Sequence, residues 1–193
     1  MTESQTTVRQ SRVGKRPIVV PKGVTVNIAD GKCDVQGPKG KLSLNLPDQV
    51  DVTRDGDKLV IASTASGSDA PRLQGLARSL LAGLVKGASE GYAVTLELQG
   101  TGYRAELKER TLTCLVGRSH PCVIELPPIV TCDVPKDFKG TIINLSSPDK
   151  AVLGQVVATI KRFRLPEPYG GKGIRFKGEQ IRRKAGKAGK GRK

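Results

Sequence analysis

The chain has few of the residues from which catalytic centres, metal sites and base-stacking surfaces are built. It contains no tryptophan, three tyrosines, three phenylalanines and one histidine. Because unpaired bases stack on aromatic side chains, this scarcity argues against a platform for single-stranded nucleic acid. Any recognition of nucleic acid is therefore expected to use the phosphate backbone and the shape of the helix.

Metal and redox motifs are also missing. No C-x-x-C pair occurs, and His120 has no cysteine or carboxylate at the spacing of a metal site or catalytic triad. His120 precedes Pro121 and is predicted to be a turn residue. Reduced, half-buried strand thiols are the favoured interpretation of the four cysteines, although a disulfide framework also fits an even number. The four cysteines are Cys33, Cys114, Cys122 and Cys132. No catalytic residue, metal or cofactor is predicted.

The sequence shows no membrane or export segment. No apolar run approaches the roughly 20 residues that a membrane-spanning helix needs. The polar start, Met1-Thr-Glu-Ser-Gln-Thr-Thr, lacks the apolar stretch of a secretory signal, and residues 1–10 are predicted to be a disordered lead. Glu3, with only Arg9 nearby, argues mildly against a transit peptide, so the cytoplasm is favoured while an organelle also fits.

What the sequence does contain is positive charge, and this charge lies at the two ends. Residues 1–22 carry five basic groups against Glu3, a net of +4. Residues 161–193 carry thirteen basic groups against Glu167 and Glu179, a net of +11, so the two ends account for the whole excess of +15. A neutral body with cationic, glycine-rich ends predicts a polyanionic partner. A generic solubility or membrane tail is the competing interpretation, but the tail has no apolar face.

An internal repeat organises the body. Segments of the first half recur with a shift of 80 residues: 37–42 corresponds to 117–122, Leu46-Pro47 to Leu126-Pro127, and Asp69 to Asp149. A single repeat of this period indicates two similar domains rather than a solenoid. The predicted division is a first domain over 11–91, a second over 92–176 and a basic tail over 177–193.

Within each unit, a run of strands precedes one helix. Alternation of apolar and polar residues predicts strands near 24–28, 32–36, 41–46, 50–53 and 58–62, and then near 93–99, 103–108, 111–116, 122–126, 130–134 and 141–145. The predicted fold class is therefore α+β, with two tandem, similar domains, each an antiparallel sheet packed by one main helix, and a basic C-terminal extension.

The helix boundaries are predicted from capping residues. Asp69 is the predicted cap of the first helix, and Gly91 is its predicted end. Ser147-Pro148 is predicted to open the second helix, with the hydroxyl as its cap. The predicted buried face of the first helix consists of Leu73, Leu76, Ala77, Leu80, Leu81 and Leu84.

Short motifs that suggest chemistry have better structural explanations. Gly100-Thr101-Gly102 lacks the third glycine of a dinucleotide site and is predicted to bend the chain. The segments 37–40 and 170–173 match the G-x-x-G of a KH domain, but that loop joins two helices and neither segment does. An enzyme with a small-molecule substrate is therefore disfavoured.

The C-terminal block carries the functional prediction. Pro166 and Pro168 favour a rigid extended segment, and the following glycines let the backbone approach phosphates that Lys and Arg neutralise. Ile174 and Phe176 alternate with basic neighbours, so one face is predicted to attach to the domain and the other to face the ligand. The tail over 182–193 is predicted to be disordered alone and ordered by RNA.

These residues resemble the bacterial-type family of large-subunit ribosomal protein L6. The resemblance runs from about Ser11 to the C-terminus, and its most specific part is the proline-tyrosine-glycine block. The motifs that carry it are Ser11-Arg12-Val13-Gly14-Lys15-Arg16-Pro17-Ile18, Gly37-Pro38-Lys39-Gly40, Gly102-Tyr103-Arg104-Ala105, Ser119-His120-Pro121 and Pro166-Glu167-Pro168-Tyr169-Gly170-Gly171-Lys172-Gly173-Ile174-Arg175. Gly170 stands where the family pattern usually has lysine, and residues 1–10 extend beyond the usual start.

The resemblance implies a structural constituent of the large subunit that supports translation without catalysis. It implies two similar domains, with rRNA bound mainly by the second domain and its extension, near the sarcin–ricin loop and the docking site of translational GTPases. Neighbouring large-subunit proteins would be further partners. By position, it implies rRNA contacts from Tyr169, Lys172, Gly173, Arg175 and Lys177, and from the basic extension through Arg182, Arg183, Lys184, Lys187 and Lys190. A free-standing protein that compacts RNA or DNA would share this charge distribution and is the alternative.

Overall fold

The computed structural model describes residues 10–29, 31–65, 67–135 and 139–187, and it is an α+β fold. The chain divides into two compact units, one ending at Gly91 and the other beginning at Tyr92. Of the predicted lead over 1–10, only Gln10 is among the described residues, so that prediction lies outside them.

The first unit contains six strands followed by one helix. Its elements are β1 (Ile18–Val19), β2 (Thr25–Ala29), β3 (Lys32–Gly37), β4 (Gly40–Asn45), β5 (Val50–Asp55), β6 (Lys58–Ser63) and α1 (Asp69–Ser89). Five of these strands match the predicted positions within one or two residues. The sixth, β1, has only two residues and is too short to show an alternating pattern.

The second unit repeats this order and adds one strand. Its elements are β7 (Tyr92–Gln99), β8 (Arg104–Lys108), β9 (Thr111–Leu115), β10 (Cys122–Glu125), β11 (Thr131–Asp133), β12 (Ile142–Ser147), α2 (Lys150–Phe163) and β13 (Gly173–Phe176). The predicted strand positions and the antiparallel α+β class are confirmed.

Each unit has two antiparallel sheets, where the sequence predicted one. The strand orders are β1-β6-β5 and β2-β3-β4 in the first unit, and β11-β12-β7-β13 and β10-β9-β8 in the second. The orders are equivalent when β7 is matched to β1, so the repeat extends to the topology. β13 is the exception, because it occupies an edge that has no matching strand among the described residues of the first unit.

Each unit encloses its own hydrophobic core. The first core is centred on Leu59 and Leu81, and the second on Leu112, Ile160 and Ile174, all at 0% exposure. The burial of Ile174 shows that β13 contributes to the second core.

The predicted buried face of α1 is partly wrong. Leu76 and Leu80 are 48% and 40% exposed, whereas Ala77 and Leu81 are fully buried. The buried positions also include Gln74 and Val85, so the core-facing stripe keeps Ala77 and Leu81 but is displaced toward the side of Gln74 and Val85. Apolar residues cover more than one face of α1, and packing alone selects between them.

Both predicted helix caps differ from the observed ones. Ser68, and not Asp69, is the N-cap of α1. The N-cap of α2 is Asp149, whose carboxylate accepts the N–H of Ala151 at 2.7 Å, so this helix begins after the predicted Ser147-Pro148. The predicted end of α1 is confirmed, since Gly91 adopts a φ of 78° directly after the C-cap. In the described part of the chain, neither helix is long and apolar enough to cross a membrane.

Candidate nucleic-acid interface

A tight loop after α2 leads into β13. The N–H of Gly171 donates to the carbonyl of Glu167 at 3.0 Å, and the N–H of Glu167 donates to the carbonyl of Lys172 at 2.8 Å. The end of the loop packs so closely against the backbone of Leu165 and Pro166 that Gly173, at a φ of 141°, has no room for a side chain. A Cβ at this position would lie 2.7 Å from the carbonyl oxygen of Leu165. The absence of a side chain at Gly173 therefore allows this close packing of the loop.

One carboxylate fastens the chain after β13 to the second unit. Glu179 accepts the N–H of Phe176 at 2.8 Å and binds Lys161 Nζ, on α2, at 2.8 Å. Lys161 also lies 4.0 Å from the centroid of the Phe176 ring, a cation–π contact. The hydrogen bond from Lys161, followed by that from the Phe176 backbone, holds the pKa of Glu179 below its ordinary value.

The outer edge of β13 is therefore occupied. The N–H of Ile174 donates to the carbonyl of Arg164 at 2.9 Å, and the carbonyl of Phe176 accepts the N–H of Glu179 at 3.0 Å. On its inner side β13 pairs with β7, with Arg175 opposite Glu97. The segment that the sequence marks as a ligand-binding block is thus an integral strand of the second unit.

Most of the residues predicted to contact RNA are exposed. Tyr169 is 57% exposed. The exposed cations are Lys172, Lys177, Arg182, Arg183, Lys184 and Lys187. None of these six forms an ion pair within the described residues. Lys190 lies outside the described residues.

Gly173 and Arg175 are placed differently from the other predicted residues. Gly173 is buried, so its part is to shape the loop. Arg175 forms an ion pair with Glu97 at 3.2 Å, and the two side chains are only 25% and 20% exposed. No local pattern in the sequence indicates this partner, because Glu97 is 78 positions away and becomes a neighbour only through the β13–β7 pairing.

The beginning of the tail folds back on the loop. The N–H of Lys184 donates to the carbonyl of Pro168 at 2.8 Å. The Arg183 guanidinium lies over Gly171, where an added Cβ would be 3.0 Å from Nη2. Loop and tail cations are therefore presented together, and this part of the predicted disordered tail has defined contacts.

Sequence reasoning overlooked cations at the end of α2. Arg118 donates from Nε to the carbonyl of Phe163 at 2.8 Å, and exposed Arg162 and Arg164 flank that residue. Arg118 belongs to the turn between β9 and β10. In the sequence, Arg118 was indicated only by its position next to Ser119-His120-Pro121. His120 itself is an exposed turn residue.

The cysteines have no ligand-binding arrangement. Cys114 and Cys122 face each other across β9 and β10, and all four thiols are free. Burial raises the pKa of Cys114 to about 12 and that of Cys132 to about 11, so both are protonated thiols at neutral pH. The described residues contain no group of three His, Cys, Asp or Glu side chains that could hold a metal ion.

Comparison with known proteins relates most of the chain to one family. The family described as ribosomal protein L6 matches over residues 20–91 and again over 99–177, one stretch in each unit. The large ribosomal subunit protein uL6 of Deinococcus deserti is 45% identical over 179 residues, which cover 93% of this chain and 95% of that protein. The uL6 proteins of Thermosynechococcus vestitus and Flavobacterium johnsoniae are 44% and 46% identical, covering 93% and 92% of this chain and 99% of each relative.

The close approach at Gly173 predicts that Gly173→Ala destabilises the protein by about 1–3 kcal/mol, through backbone strain and overpacking. The matched control is Gly154→Ala, at an exposed position of α2 where nothing lies within 4 Å of an added Cβ. It is expected to stabilise the protein by up to about 1 kcal/mol. Urea unfolding of both variants measures the difference. An unchanged unfolding midpoint for Gly173→Ala would contradict the crowding of the loop.

The ion pair of Glu179 predicts a pH-dependent attachment of the tail. Because its pKa is lowered in the folded protein, the pair stabilises above the pKa of the unfolded chain, about 4.3, and this stabilisation is lost as pH falls through the lower folded value. The measurement is hydrogen-exchange protection of the Phe176 amide in the native protein and in Glu179→Gln.

The loss of hydrogen-exchange protection at the Phe176 amide, measured as the difference between the native protein and Glu179→Gln, should be large at neutral pH. It should shrink as the pH drops below about 4.3. Glu125→Gln, at an exposed carboxylate on β10, is the control and should leave Phe176 unaffected. A decrease that is equally large at acid and neutral pH would show that charge on Glu179 is irrelevant.

Proposed function

The chain belongs to the ribosomal protein L6 family, and we propose that it binds large-subunit rRNA through its second unit and the basic segment after α2. Members of this family are structural, non-catalytic components of the ribosome. The chain is accordingly a structural constituent of the large ribosomal subunit, and translation is the process that it supports. We assign it to the ribosomes of a bacterial-type cytoplasm.

The observation that carries the proposal is a group of unpaired cations on an anchored segment. The loop after α2 and the tail present Lys172, Lys177, Arg182, Arg183, Lys184 and Lys187, all exposed and without a carboxylate partner in the described structure. β13 and Glu179 fix this segment to the second unit, so less conformational entropy is lost on binding. Cations that neutralise rRNA phosphates release the counterions condensed on them, which favours the binding of rRNA to such a surface.

The residues divide into three roles. The six exposed cations meet phosphates, as does Lys190 in the remainder of the tail, and Tyr169 offers an exposed aromatic ring beside them. Gly173 holds the loop in the shape that presents them. Arg175 links β13 to β7 through Glu97 and can contact RNA only with the part of its guanidinium that remains exposed.

The proposed position within the subunit is the one that the family resemblance implies. The block over 166–175 supports a location near the sarcin–ricin loop, with translational GTPases docking nearby and other large-subunit proteins as neighbours. In this arrangement, residues 92–176 and the tail over 177–193 form the RNA-binding part, and residues 11–91 form the first domain.

Sucrose-gradient fractionation of a lysate tests membership of the subunit. The chain is expected to sediment with the large subunit in moderate salt and to remain there after a high-salt wash. A chain at the top of the gradient that binds duplex DNA as well as rRNA would instead be a free-standing nucleic-acid compactor.

The salt dependence of binding tests the interface. Replacement of Lys172, Lys177, Arg182 and Lys184 by glutamine is expected to weaken binding to purified large-subunit rRNA. The slope of log affinity against log salt should become shallower by about 3, since each phosphate that the protein no longer neutralises reduces it by about 0.7–0.9. The control replaces exposed cations elsewhere in the second unit, namely Lys108, Arg110, Lys139 and Lys150. Equal slopes for the two fourfold variants would show that net charge, and not this surface, determines binding.

A further inference from the structure

The first unit carries a separate group of cations that the proposed interface does not use. Arg12, Lys15 and Arg16 are exposed, and Arg78 of α1 is half-buried beside them. None of the four forms an ion pair within the described residues. Residues 10–29 contain no acidic residue, and Asp69, the one acidic residue of α1, is paired with Arg72 at 3.2 Å. Neither this segment nor α1 therefore supplies a carboxylate that pairs with the four cations within the described residues.

Three of these cations share one face of a short helical turn. The N–H of Lys15 donates to the carbonyl of Ser11 at 3.2 Å, and the N–H of Arg16 donates to that of Val13 at 3.1 Å. Positions 12, 15 and 16 are related by i, i+3 and i+4, which brings side chains together on one side of a turn. Ser11 and Gly14 lie on the side that faces α1.

The turn is docked on the first unit through a buried glutamine. Gln74, only 6% exposed, accepts the N–H of Ser11 at 3.0 Å and donates from Nε2 to the carbonyl of Ile61 at 2.9 Å. Glycines on both partners allow the close approach. A Cβ on Gly14 would lie 2.7 Å from Gln74 Cγ, and one on Gly75 would lie 3.0 Å from Ser11 Oγ.

The fourth cation joins the turn to α1. Arg78, one helical turn beyond Gln74, donates from Nε to the carbonyl of Arg16 at 3.4 Å, which leaves its remaining N–H groups for a ligand. A recess of about 210 Å³ opens beside the turn, and its lining includes Gln10, Lys15 and Ser63. Of the four cations, Lys15 lines this recess, and the other three lie on the turn and on α1.

We propose that this docked turn is a second phosphate-binding site, which holds the backbone of an rRNA segment with Arg12, Lys15, Arg16 and Arg78. The inference rests on the proposed function for the identity of the RNA, but it concerns the other unit of the chain. Three guanidinium groups favour phosphate, because their planar donors bind its oxygens in pairs. Side chains at i, i+3 and i+4, about 5–6 Å apart at Cβ, are close enough to contact neighbouring phosphates of one strand.

The test compares charge-matched variants of the full-length chain. Arg12→Gln, Lys15→Gln and Arg16→Gln are combined, and the control combines Lys32→Gln, Lys39→Gln and Lys41→Gln at exposed positions of the same unit. The probe is purified large-subunit rRNA in a salt titration. The first variant is expected to reduce the log–log slope by about 2–3, and the control should leave it unchanged. Equal effects of the two variants would overturn the proposal.

A second variant distinguishes a site that requires the docked turn from a charged segment that binds RNA without docking. Gly14→Leu keeps every charge but needs the space that Gln74 occupies, so it should displace the turn and weaken rRNA binding as well. Full binding by Gly14→Leu would overturn the docked site. An unchanged rRNA affinity of the triple variant, with reduced entry into large subunits, would identify an acidic protein as the ligand and overturn the assignment to RNA.

The fourfold variant of the C-terminal segment, measured in parallel, keeps the two proposals apart. If that variant loses rRNA affinity and the variant of residues 12, 15 and 16 does not, only the second site fails. If neither loses affinity, the proposed function itself fails.

Discussion

A single carboxylate, that of Glu179, links the chain after β13 to α2 in the most basic part of the chain. Residues 161–193 contain two acidic side chains, and Glu179 binds both Lys161 and the backbone of Phe176. These contacts attach the chain after β13 to the end of that strand and to α2, and within the described residues Lys161 is the one cation paired with Glu179. The segment is thus attached to the second unit while most of its cations stay unpaired within the described residues. A fold that neutralised these cations internally would leave nothing with which to bind phosphate.

The sequence predicted what depends on local spacing. Alternating strands and the turn at Gly91 are encoded by neighbouring residues, and the 80-residue repeat is visible because short motifs recur in the same order. The structure confirms the class and order of elements. It did not predict the pairing of β13 with β7, nor the contact of Arg175 with Glu97, because these depend on residues far apart in the chain. The face of α1 was misassigned for a similar reason: its leucines offer two apolar stripes, and tertiary packing selects one.

The two units show how one duplicated architecture can present charge in two ways. In both, six strands and a helix follow the same order, and the second core additionally contains Ile174 of β13. In the second unit, chain that follows the helix returns to the sheet and carries its cations along an edge strand. In the first unit, the segment before β1 packs on α1, where Gln74 accepts the N–H of Ser11. In each case a cationic segment is attached to a neutral body by a few polar contacts and close-packed glycines.

The way Glu179 occupies the outer side of β13 also bears on the behaviour of the free protein. An edge strand with unpaired N–H and carbonyl groups is a template for strand addition by another molecule and hence for aggregation. Here the N–H and carbonyl of Phe176 are both bonded to Glu179, and the N–H of Ile174 is bonded to Arg164. These three backbone groups are therefore not available for pairing with a strand of another copy of the chain. The carboxylate that attaches the basic segment to α2 thus also blocks the addition of a strand at the end of β13.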